Sequence, residues 1–176
     1  KKDIDWSNIG FGYYQTDERY VSNFKNGAWD DGVMTKDANV VMNECAGVLQ
    51  YAQTCFEGLK AYTTEHGKIV TFRPDLNASR MANTAKRLEM PPFPEDRFVE
   101  AVEKVVAANA AYVPPYGSGA TLYIRPYMFA SSSVIGVKPA EEYQFRMFCT
   151  PVGPYFKGGA KPIRSEEHTS ELQSHH

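Results

Sequence analysis

Residues 59–76 read Leu59-Lys60-Ala61-Tyr62-Thr63-Thr64-Glu65-His66-Gly67-Lys68-Ile69-Val70-Thr71-Phe72-Arg73-Pro74-Asp75-Leu76, and the fold turns on this stretch. The runs from Leu59 to Thr64 and from Lys68 to Phe72 flank Glu65-His66-Gly67, with apolar Ile69, Val70 and Phe72 on the return side. That pattern predicts a hairpin. Pro74 stops strand pairing, since proline has no N–H to donate. Asp75 is placed to N-cap a helix running to about Leu88, with Leu76, Met81, Ala85 and Leu88 near one face. A strand pair therefore hands the chain directly to a helix.

The pattern continues on both sides. Upstream, Tyr20 to Phe24 alternates and precedes Lys25-Asn26-Gly27, a turn signal that predicts a second hairpin into Ala28-Trp29. Downstream, Pro91-Pro92-Phe93-Pro94 breaks the helix. A second helix is expected from about Glu95 to Ala110. Phe98, Val102, Val105 and Val106 form its apolar stripe, and Arg97, Glu100 and Lys104 lie on the other side. After the loop Pro114 to Gly119, Thr121–Phe129 and Tyr143–Val152 read as strands. Strands, two helices, then strands imply an α+β fold, with two helices on one face of a mostly antiparallel sheet.

Hydrophobic content of 43% and aromatic content of 13% fit a packed domain. A net charge of −2 gives no reason to expect nucleic acid or an anionic membrane as partner. No apolar run approaches the ~20 residues that cross a bilayer, and Lys1 to Trp6 are too polar for a signal peptide. Cys45, Cys55 and Cys149 lie far apart in no CxxC pattern and fit reduced thiols in a cytoplasmic protein. His66 sits in a turn, and the other histidines follow residue 164, so no metal site is expected.

Some residues invite a functional reading. Arg80 could hold a phosphate through parallel N–H donors, although a helical arginine is ordinarily a solvated charge. Period two puts Tyr123 and Arg125 on one strand face, where they could clamp a carboxylate or simply form an exposed face. Tyr51 and Phe56 flank Ala52-Gln53-Thr54-Cys55, where core packing is the ordinary role. Pro151 to Gly159 is dense in glycine and proline around Tyr155 and Phe156, as in an interdomain connector. It lacks the Gly-Lys-Ser/Thr of a P-loop, and no H-E-x-x-H, G-x-S-x-G or G-x-G-x-x-G occurs.

Together, Phe56-Glu57-Gly58-Leu59-Lys60-Ala61-Tyr62, Phe72-Arg73-Pro74 to Arg80-Met81, Thr121 to Pro126 and Pro151 to Gly159 resemble the branched-chain amino-acid aminotransferase family, in order and spacing, over residues 4–163. The family is similar in fold to D-amino-acid transaminases and aminodeoxychorismate lyases, the pyridoxal-phosphate enzymes of fold type IV. The resemblance implies a homodimer of two-domain subunits that moves an amino group between leucine, isoleucine or valine and 2-oxoglutarate. Residues 1–150 would be the small N-terminal domain and 151–163 the connector, with the second domain missing. Arg80 matches the arginine that grips the cofactor phosphate. Phe11, Tyr51, Phe56, Tyr123, Arg125 and Tyr155 match residues of the substrate pocket. Ile135-Gly136-Val137 matches a loop that reaches the neighbouring subunit's site, with Val137 in the pocket.

One departure is large. The family's Schiff-base lysine lies in a later Lys-x-Gly-Gly-Asn-Tyr or Lys-x-Gly-Leu-Asn-Tyr segment that this chain lacks; Lys157 and Lys161 belong to the connector, and Lys60 has no catalytic counterpart. Residues 164–176, Arg164-Ser165-Glu166-Glu167-His168-Thr169-Ser170-Glu171-Leu172-Gln173-Ser174-His175-His176, resemble a translated sequencing adapter and are expected to be non-native. The chain is thus expected to be an inactive fragment with no catalytic residue of its own. The competing readings are a D-amino-acid transaminase or aminodeoxychorismate lyase relative, or a non-catalytic binding module.

Overall fold

The computed structural model describes residues 2–154. Tyr155, Lys157, Lys161, most of the expected connector and the adapter-like residues lie outside that range. The strands are β1 (Arg19–Lys25), β2 (Ala28–Trp29), β3 (Val33–Thr35), β4 (Thr54–Phe56), β5 (Leu59–Thr63), β6 (Ile69–Thr71), β7 (Thr121–Ala130) and β8 (Tyr143–Val152). The helices are α1 (Gly47–Tyr51), α2 (Pro74–Arg87) and α3 (Glu95–Ala108), the last followed by a 3-10 turn at Ala110–Tyr112.

All eight strands join one sheet in the order β2-β1-β8-β7-β5-β6, with β3 also on β1 and β4 also on β7. Every pairing is antiparallel. The long β7–β8 ladder, from Thr121↔Val152 to Ala130↔Tyr143, is its spine. Both expected hairpins form. Asn26 and Gly27 take φ of 51° and 81°, the left-handed values that a tight hairpin turn needs.

One sheet face carries the core, as the α+β reading requires. Leu122, Ile124 and Met128 of β7 and Tyr143, Phe145, Met147 and Cys149 of β8 are buried with Phe98, Val102 and Val105 of α3 and Ala78, Met81 and Ala85 of α2. Phe93, from the proline-rich link between the helices, stacks on Phe145 with centroids 3.9 Å apart. The Trp29 indole donates to the Pro92 carbonyl at 3.0 Å and fixes that link.

Several local expectations are corrected. α2 begins at Pro74, with Arg73 at its N-terminal boundary in a left-handed conformation (φ 46°) and no side-chain cap. Proline's fixed φ suits the first helical position. Asp75 instead lies in the first turn and pairs with the Arg73 guanidinium, Nη2 to Oδ2 2.6 Å. The buried face of α2 is Ala78, Met81, Ala82 and Ala85, which leaves Leu76 and Leu88 exposed. Arg97 turns inward, stacks over Phe93 and donates to Tyr20 Oη at 3.1 Å and to the Asp30 carbonyl at 2.6 Å.

Candidate active site

The sheet face away from the helices is open and polar-aromatic. Alternation along β7 points Leu122, Ile124 and Met128 into the core and leaves Tyr123, Arg125 and Tyr127 half-buried on the other side. β8 contributes Phe148, paired with Arg125 in register, and Thr150, paired with Tyr123. The segment before β1 crosses this face: Tyr14 N–H donates to Thr150 Oγ1 at 2.8 Å, and Thr16 Oγ1 donates to the Cys149 carbonyl at 2.9 Å. That crossing brings the Phe11 ring to 6.1 Å from the Tyr123 ring.

Two side chains, Tyr123 and Phe56, hold Arg125. Its Nε donates to Tyr123 Oη at 3.0 Å. Its guanidinium carbon lies 4.4 Å from the Phe56 centroid and 5.2 Å from the Tyr123 centroid, both within cation–π range. A cavity of about 160 Å³ opens beside it, lined by Phe11, Tyr123, Arg125, Phe148, Thr150 and Val152 among others. Another of about 250 Å³ is lined by Thr54, Phe56, Arg125, Tyr127 and Phe148. Four predicted residues, Phe11, Phe56, Tyr123 and Arg125, therefore converge. Phe56 is 62% exposed, so it is a wall of this face and not a core side chain.

A second cluster adjoins the first. Arg80, on α2, donates from Nε to Glu57 Oε1 at 2.6 Å and from Nη2 to Oε2 at 2.7 Å. Asn77, one turn earlier, donates to Oε2 at 2.8 Å. The Glu57 side chain is only 4% exposed while that of Arg80 is 69% exposed. Burial opposes ionisation of Glu57, but hydrogen bonds from Arg80 and Asn77 and the Arg80 charge outweigh it and hold its carboxyl below the usual range. The hydrogen bond to Glu57, with its charge, raises the Arg80 guanidinium further. A buried carboxylate thus steers an exposed cation.

Gly58 joins the two clusters. A Cβ there would come 2.6 Å from the Tyr123 hydroxyl, so only glycine lets that phenol sit against the backbone beside Glu57. Lys60, opposite Tyr123 in register, lines a cavity of about 310 Å³ with Gly58, Tyr62, Phe72 and Asn77.

Tyr51 and Val137 sit elsewhere, at the Ala130 end of β7, where Ala46 bridges Ser133. The Tyr51 hydroxyl donates to the Ile135 carbonyl, which ties α1 to the loop before β8, and Val137 is 87% exposed. Tyr51 is thus tied to the loop that carries Val137, and neither residue lines the cavities beside Arg125. Glu57, Asn77 and Gly58 were not singled out from sequence. The helical i, i+3 spacing of Asn77 and Arg80 was the available signal.

No family model matches the chain. Curated proteins do. It is 51% identical over 161 residues to a branched-chain-amino-acid aminotransferase of Haemophilus influenzae, covering 92% of this chain and 47% of that protein. It is 46% identical over 158 residues to the same enzyme of Helicobacter pylori (90% and 46%), and 46% over 162 to a chloroplastic one of Humulus lupulus (92% and 40%). Among solved structures, the fold matches a branched-chain amino acid aminotransferase of Escherichia coli at TM-score 0.61 and 23% identity, covering 80% of this chain and 41% of that one. Another branched-chain amino acid aminotransferase, solved in complex with N-(5'-phosphopyridoxyl)-L-glutamate, matches at TM-score 0.54 and 27% identity, covering 76% and 40%.

The fold is that of the small domain of a fold-type-IV aminotransferase. More narrowly, the chain belongs to the branched-chain-amino-acid aminotransferase family. It spans about half the length of the curated relatives it matches.

Proposed function

We propose that this chain contributes half of the active site of a pyridoxal-phosphate enzyme that transfers the amino group between leucine, isoleucine or valine and 2-oxoglutarate. The observation that carries the reading is the continuous run Arg80–Glu57–Gly58–Tyr123–Arg125. It sets a steered, exposed cation beside an aromatic pocket with its own arginine.

The donor set fits the cofactor's phosphate. Arg80 is exposed, two of its nitrogens are anchored by Glu57, and Nη1 has no partner among the described residues. A fixed guanidinium with free N–H donors suits a phosphate. Bound there, the cofactor supplies an electron sink for charge developing at the substrate Cα. Glu57 and Asn77 orient Arg80. Phe11, Phe56 and Tyr123 exclude water and receive a branched aliphatic side chain. Arg125 meets the distal carboxylate of 2-oxoglutarate, while the aromatic rings around it keep the same pocket acceptable to leucine. Tyr51 and Val137, at the far end of β7, serve the site of a neighbouring subunit in a homodimer. Residues 1–150 form the small domain, 151–163 the connector and 164–176 a non-native tail. The lysine that would join the cofactor is not in this chain, which is inactive alone.

No helix among the described residues is long and apolar enough to cross a membrane. We place the parent enzyme in the cytoplasm, although the plant relatives are named chloroplastic. The D-amino-acid transaminase and aminodeoxychorismate lyase readings are not favoured, since the relatives above carry the branched-chain name.

Substrate kinetics of the full-length gene product test this reading. Arg125→Met should raise KM for 2-oxoglutarate about 10–100-fold, as loss of a charge-assisted pair implies, and change KM for leucine less than about threefold. Equal losses for both substrates would contradict the assignment.

A further inference from the structure

We propose that a cavity between β1, β7 and β8 binds a small dianion, a dicarboxylate or a phosphate, through Arg19 and Arg146. The cavity measures about 400 Å³, and its lining includes Tyr13, Arg19, Asn39, Tyr127, Arg146 and Phe148. It lies on the open sheet face and shares Tyr127 and Phe148 with a cavity beside Arg125.

Arg19 is 2% exposed and Arg146 is 7% exposed. Buried arginines ordinarily face carboxylates, because an unpaired buried charge is costly. Here both are held by neutral acceptors. Arg19 donates from Nη1 to the Lys36 carbonyl and from Nη2 to the Thr16 carbonyl at 2.9 Å. Arg146 donates to Gln144 Oε1 at 3.0 Å and to the Asp37 carbonyl at 3.1 Å. Among the described residues, neither guanidinium forms an ion pair. Each guanidinium has five N–H donors, so both keep capacity beyond these bonds.

The surroundings are built for an anion. Tyr127 pairs with Arg146 across the β7–β8 ladder, and Val21 of β1 pairs with Arg146 from the other side, which brings Arg19 and Arg146 to neighbouring strands of one face. Tyr13 and Tyr127 add phenol donors to the lining. Asp37 is the acid whose carboxyl both arginines influence, but its Oδ1 already accepts two bonds from Asn39 at 2.9 Å. Two guanidinium forks with no carboxylate partner match a ligand of two negative charges. The cavity's size, with the Phe148 ring as an apolar wall, limits that ligand to a small molecule.

The test is NMR of the arginine Nε–H resonances in the 176-residue chain, titrated with inorganic phosphate and separately with succinate at constant ionic strength. The expected result is saturable shifts at Arg19 and Arg146 with both probes, distinct from any response of Arg125 to succinate, which the proposed function itself expects. Tighter succinate binding marks a dicarboxylate site and tighter phosphate binding a phosphate site; either supports the proposal. Arg146→Gln should weaken binding about tenfold or more, as loss of a charge-assisted pair implies. Tyr127→Phe keeps both cations, should weaken binding about threefold, and decides the matter if the arginine variant does not fold. No saturable shift with either probe, shifts confined to Arg125, or unchanged affinity in the folded variants would overturn the proposal and leave the two cations to a carboxylate from another chain.

Discussion

Glu57 is where one buried charge organises an exposed one. Its folded-state carboxyl lies below its ordinary value, so its stabilising contribution is complete above about pH 5 and is lost as pH falls through the folded value. Glu57→Gln should therefore cost about 1–3 kcal/mol near neutral pH. Urea unfolding should show the gap from wild type closing as pH falls below about 4; a gap independent of pH would refute this. The cysteines give a second test. Burial pushes the Cys55 and Cys149 thiols up to about 11, and Cys45 is more exposed than either. A thiol reagent at about pH 8 should label Cys45 quickly and the other two only on unfolding. At this scale the sequence was legible where a residue's partners are local. Arg80 could be singled out, but Glu57, 23 positions away, could not, because the pairing depends on how α2 packs beside β4.

Elements were legible where they were long or where a turn signal announced them, as for the short return strands β2 and β6. The alternation of β7 correctly placed Tyr123 and Arg125 opposite Leu122 and Ile124, because ten residues carry a clear period of two. β3 and β4, at three residues each, and α1, at five, are too short for periodicity to show. The start of α2 was misplaced because Asp75 looks like a cap, while Pro74 can itself occupy the first helical position. The link between β4 and β5 makes its own prediction. Gly58→Ala should destabilise the protein by about 1–3 kcal/mol by overpacking against the Tyr123 hydroxyl. Adding Tyr123→Phe removes that oxygen and should recover part of the loss. Additive losses in the double-mutant cycle, read by thermal unfolding, would show that the two sites do not touch.

For the whole molecule, one two-sided sheet explains both stability and site. Its helix-facing side carries the core, in which Phe93 bridges the inter-helix link to β8 through Phe145. Phe93→Ala should cost about 3–5 kcal/mol in urea unfolding, while a loss under about 1 kcal/mol would mean the link is not part of that core. The open side gathers Phe11, Phe56, Tyr123 and Arg125 beside Arg80. Chain order and hydrophobic patterning made the α+β layering legible. The meeting of the N-terminal segment with β7 was not, since it rests on bonds such as Tyr14 to Thr150 that span 136 positions. The most direct test of the half-site is transamination of leucine with 2-oxoglutarate in the presence of pyridoxal phosphate, run in parallel on the 176-residue chain and the full-length gene product. Glutamate should form only with the full-length protein. Turnover by the shorter chain alone, or none by the full-length protein, would contradict the assignment of an incomplete aminotransferase site.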